Sequence, residues 1–96
     1  MTLEMTRWEK DEKGFVWWKV TQKGGEEVSF PTVKVIERLF AKACPAASRR
    51  IKIEGPYSRG RFIYVAMELG LTDLRRARFI KALETKMTDL HQSSLN

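Results

Sequence analysis

The chain has 96 residues, 43% hydrophobic and 31% charged, with the two kinds interspersed. That mixture is globular in character, not disordered, and the length suits one domain rather than two independent cores. No apolar run reaches bilayer-spanning length, the N-terminus lacks a secretory stretch, and the lone Cys44 rules out an internal disulfide, so a cytoplasmic protein is expected.

The net charge of +6 is unevenly placed. Residues 1–48 hold eight Lys and Arg against seven Asp and Glu, a net of +1; residues 49–96 hold ten against five, a net of +5. The second half favours arginine, whose planar fork suits phosphate and carboxylate.

In chain order, Trp8–Lys10 and Phe15–Gln22 flank the turn-like Asp11-Glu12-Lys13-Gly14 and predict a hairpin. Val16, Trp18 and Val20 share one face of the second strand; Phe15, Trp17, Lys19 and Thr21 share the other. A turn at Lys23-Gly24-Gly25-Glu26 leads to a third strand over Glu27–Phe30. Pro31 suits a first helical turn, with Ser29 or Thr32 as cap. Val33, Ile36, Leu39, Phe40 and Ala43 make the apolar face of that helix, Lys34, Arg38 and Lys42 a stripe opposite, and Pro45 its end. Arg49–Glu54 alternates as a half-buried strand, Gly55–Gly60 (GPYSRG) is a loop, and Arg61–Met67 is a β-favouring run, giving a second hairpin. A final helix starts at the N-cap Thr72 and runs to about His91, with Phe79, Ile80, Leu83, Met87 and Leu90 sharing one face.

The expected fold is therefore a single α+β domain over 5–91, in the order β-β-β-α-β-β-α, with an antiparallel sheet and two helices packed on it. Residues 1–4 and 92–96 are expected to fray. A competing arrangement covers 62–91. There YVAMELGLTDLRRARFIKAL (64–83) resembles a helix-turn-helix motif over about twenty residues, with Gly70 in the turn, although Arg76 stands where such motifs bury an apolar residue. Arg59-Gly60-Arg61-Phe62-Ile63-Tyr64 also resembles the basic-glycine-aromatic strand of single-strand RNA readers, with its aromatics out of that motif's register.

Catalytic chemistry is poorly provided for. His91, the only histidine, ends the last helix, and Cys44 reads as a buried, inert thiol beside Pro45. No metal-ligand spacing or phosphate-binding glycine loop occurs. Neither an enzyme, a metal nor a cofactor is expected.

Binding residues are better represented. Arg50, Lys52, Arg59 and Arg61 fall on one predicted hairpin, with Tyr57 and Ser58 in its loop, and Arg75 and Arg78 follow on the last helix. Such a set suits phosphates and stacked bases, so DNA or RNA is the first expected partner. The adjacent Trp17 and Trp18 must point to opposite sheet faces. If one is exposed, it would anchor an acidic protein partner or a homodimer, the second expectation. A Trp covered by loops and the N-terminal segment is the plainer alternative.

Overall fold

A computed structural model describes residues 1–24, 28–45 and 50–95. The expected turn at Gly25-Glu26 with its following Glu27, and Arg49 of the basic hairpin, lie outside the described residues.

The helices form where apolar spacing and end signals agree. In α1 (Val33–Ala43), Ile36 and Phe40 stand one turn apart and are buried. Thr32 takes the extended N-cap conformation without a side-chain bond, and Cys44 N–H closes the last turn on Phe40 O at 2.8 Å. In α2 (Asp73–Leu95), Thr72 Oγ1 accepts Arg75 N–H at 3.3 Å and Asp73 sits against the positive helix end. Phe79, Leu83 and Met87 recur every fourth residue and are fully buried. Phe40 and Phe79 meet edge to face, with centroids 5.3 Å apart.

Four strands make one antiparallel sheet: β1 (Leu3–Trp8), β2 (Phe15–Gln22), β3 (Ile51–Tyr57) and β4 (Phe62–Glu68), in spatial order β1-β2-β4-β3. The register pairs Val20 with Ile63, Trp18 with Val65 and Ile53 with Val65, so these residues share a face. Val20, Ile63, Val65 and Met67 join Ile36, Phe40, Phe79, Leu83 and Met87 in one core cluster. Both helices therefore cover this face. The residues alternating with them, Phe15, Trp17, Lys19, Phe62 and Tyr64, lie on the other.

The element order is β-β-α-β-β-α, with no third strand before α1 among the described residues. Val28 and Phe30 are buried two residues apart, which imitates strand alternation, but loop contacts fix them. The Gln22 side chain brackets the backbone of Val28, and Phe30 N–H donates to Gly60 O at 2.8 Å. The first strand spans Leu3–Trp8, earlier than Trp8–Lys10. Its first residue, Leu3, is buried and donates its N–H to Glu84 Oε2 at 2.7 Å. Helix α2 continues through Leu95, past His91. The helix-turn-helix alternative fails because 62–68 is the central strand β4, with ladders on both sides. No described helix is long and apolar enough to cross a membrane.

Candidate nucleic-acid interface

The uncovered sheet face can be read row by row from the register. One row holds Trp8, Trp17, Ala66 and Lys52; the next Thr6, Lys19, Tyr64 and Glu54; the third Glu4, Thr21, Phe62 and Tyr57. A register irregularity between Glu54 and Tyr57 puts Tyr57 opposite Phe62.

These rows place aromatic rings side by side. Trp8 lies against Tyr64 with centroids 4.0 Å apart and planes 31° apart. Tyr64 meets Phe62 at 5.6 Å and Tyr57 at 5.9 Å, and Tyr57 meets Phe62 at 5.5 Å. Lys19 Nζ stands 4.4 Å from the Phe62 ring and forms no ion pair among the described residues. The strip is half-buried along Trp8, Tyr64 and Phe62 and opens at Tyr57, which is 42% exposed.

The other end of the face is closed by charge. Lys10 Nζ sits 4.3 Å from the Trp17 ring and bonds Glu54 at 2.8 Å. Trp17 Nε1 donates to Glu12 Oε2 at 2.8 Å, and Glu12 also pairs with Lys52. Hydrogen bonds from Lys52 and Trp17 hold the Glu12 carboxyl below its ordinary range. Arg50 pairs with Glu68 at 3.2 Å.

The expected arginine surface is therefore divided. Tyr57, Ser58, Arg59 and Arg61 come together at the β3–β4 turn. Arg50 and Lys52 lie at the opposite end of the hairpin, beside Glu68 and Ala66, and both are matched by carboxylates. The seven residues of β4 put that end ~20 Å away from the turn. Arg75 and Arg78 stand on α2 near Cys44, on the helix side. The Cys44 thiol itself is buried, and burial pushes it above its usual range. Antiparallel pairing made the division legible, since residue 50 of a hairpin that turns near 59 must lie opposite residue 68 or so.

The tryptophans also separate. Trp17 is on the uncovered face yet only 2% exposed, because Trp8, Lys10 and Glu12 enclose it. Trp18 is on the helix face, between Arg7 at 5.1 Å and Arg76 at 4.9 Å. Trp8, Lys19, Phe62 and Tyr64 stand outside the expected binding set, although Phe62 and Tyr64 belong to the run that resembles single-strand RNA readers. Their signal was present, since Phe62 and Tyr64 alternate with the apolar Ile63 and Val65.

The turn itself is built tightly. Ser58 and Arg59 have φ of 50° and 59°, in the left-handed region that disfavours side chains. Ser29 Oγ donates to Arg59 O at 3.4 Å. Between this segment and the turn lies a cleft of about 180 Å³ lined by Val28, Ser29, Arg59 and Arg61. A second cleft of about 280 Å³, between the helices, is lined by Val35, Arg38, Leu39, Lys42 and Lys86. Among the described residues, no cluster of His, Cys, Asp and Glu could hold a metal ion.

No known family model matches the chain, nor does any curated protein or solved structure.

Proposed function

We propose that this chain is a non-enzymatic module that binds single-stranded nucleic acid, DNA or RNA, across the uncovered sheet face. The observation that carries this reading is the strip of Trp8, Tyr64, Phe62 and Tyr57, with Lys19 beside it, on a sheet face with no helix over it. Bases stack on such rings for roughly 1–3 kcal/mol each, whatever their identity, and cations beside them meet the phosphates. A duplex keeps its bases stacked inside and presents no ring to the strip, so single strands are preferred.

Fluorescence anisotropy with labelled oligothymidylate, oligouridylate and duplex DNA tests the reading. Single strands should bind more tightly than duplex, and affinity should fall with salt as counterions are released. Tyr64→Ala should weaken single-strand binding by about tenfold, in keeping with the loss of one stacked base. Failure of every probe to bind at low salt overturns the proposal.

A second reading has its own observation. Arg38, Lys42 and Lys86 surround the aliphatic Val35 and Leu39 and form no ion pair among the described residues, which favours an acidic protein segment in the cleft between the helices. Under this reading, Arg38→Glu with Lys42→Glu removes partner recovery from a host extract and leaves oligonucleotide binding intact.

A further inference from the structure

We infer that the cleft beside the β3–β4 turn is a phosphate site, filled by a phosphate group of the strand that crosses the sheet; this rests on the single-strand reading above.

Four features meet there. The cleft holds about 180 Å³, several times the ~30 Å³ share of one water, and so has room for a tetrahedral oxyanion with some of its hydration. Its lining brings the Arg59 and Arg61 side chains beside Ser29, whose hydroxyl already donates to Arg59 O and so fixes the wall rather than binding the anion. Guanidinium forks give paired, charge-assisted hydrogen bonds to phosphate. Arg59 makes no ion pair among the described residues, so its charge is available. Finally, Arg59 occupies a left-handed position where glycine or asparagine would be easier. Positive φ at both Ser58 and Arg59 is what a tight hairpin turn requires, and it fixes where the Arg59 side chain leaves the backbone.

Position links the cleft to the strip. The turn joins Tyr57 to Phe62, the ring pair at the open end of the aromatic strip. A strand whose bases stack on these rings must pass its backbone beside residues 58–61. The walls are fixed by Phe30 N–H on Gly60 O at 2.8 Å and by Ser29 on Arg59 O, so little ordering remains to oppose binding.

The test uses oligothymidylate with a free, a 5′-phosphorylated or a 3′-phosphorylated end. Anisotropy is read between about 50 and about 200 mM salt, on wild type, Arg59→Ala and Tyr64→Ala, each checked for folding by thermal melting. Arg59→Ala should weaken binding about tenfold and lower the salt slope by about one, while the fluorescence quenching of tryptophan at saturation stays as in wild type. If a phosphorylated end binds more tightly and Arg59→Ala erases that advantage, the cleft takes a terminal phosphate. If all three probes weaken alike, it takes a backbone phosphodiester. Either result supports the site. Unchanged affinity and slope in Arg59→Ala overturn it, and the single-strand reading then stands if Tyr64→Ala still loses binding. If wild type binds no strand, inorganic phosphate titrated against the Arg59 backbone amide in nuclear magnetic resonance decides the cleft separately. A saturating shift keeps the phosphate site without the strand, and no shift removes both.

Discussion

A Cβ added at Gly60 would lie 2.9 Å from the Ser29 Cβ, and the residue has a φ of 82°. Both facts oppose any side chain there. Left-handed backbone costs an L-residue roughly 1–2 kcal/mol, and the contact with Ser29 adds to that. Gly60→Ala should therefore lose about 2 kcal/mol, seen as a fall in melting temperature of roughly 8–16 °C. A Ser29→Gly background removes the contact but not the backbone cost, so Gly60→Ala should be less damaging there; equal losses in both backgrounds would show that the contact does not matter. The turn thus carries its conformational cost at Ser58 and Arg59, where no glycine relieves it, and keeps glycine where Ser29 leaves no space. The sequence GPYSRG announced a turn, but its tie to Ser29 and Phe30 depends on a loop about thirty residues away in the chain, which no local pattern contains.

At the scale of elements, the loop Asp11–Gly14 does more than join β1 to β2. Glu12 reaches back to accept from Trp17 Nε1 and to pair with Lys52 of β3, tying one side of the sheet to the other. Its carboxyl titrates below the ordinary value of 4.5, chiefly because of the Lys52 hydrogen bond and then that from Trp17. A carboxyl with a depressed folded pKa stabilises fully above its ordinary value and loses that contribution as pH falls through the folded one. Glu12→Gln keeps an oxygen for Trp17 but not the charge for Lys52. Wild type should melt slightly higher than this variant at neutral pH, and the gap should close on acidification below 4.5. A gap that persists at low pH would contradict the assignment. The strands and helices were largely legible: period-two alternation put Trp17 and Trp18 on opposite faces, and helical spacing found Ile36, Phe40, Phe79, Leu83 and Met87. The burial of Trp17 was not legible, because its cover comes from Trp8 on a neighbouring strand and from Lys10 and Glu12 at the turn. The false third strand arose because two buried loop residues, Val28 and Phe30, have the same spacing as a strand face.

For the whole molecule, the uneven charge of the sequence does not become one basic side. Arginines close in sequence are parted by the sheet: Arg59 and Arg61 end the β3–β4 hairpin, whereas Arg75 and Arg78 sit on the helix layer near Cys44. Sheet and helix layers are ~10 Å apart, about one Debye length at 0.1 M salt, so charges on the far layer act weakly on a strand held at the sheet face. Two sets of variants follow from that geometry. Arg75→Ala with Arg78→Ala should leave oligothymidylate affinity within about twofold of wild type and leave its salt slope unchanged, because neither group meets a phosphate. Tyr64→Ala should weaken affinity about tenfold with the salt slope also unchanged, because it removes stacking and no charge. Anisotropy at the same salt series reads both. If the helix-layer pair costs as much as Tyr64 and flattens the slope, nucleic acid lies on the helix side and the aromatic strip has another use. If only Tyr64 matters, the covered and uncovered faces have separate duties: one holds the fold together, and the other is left open for bases.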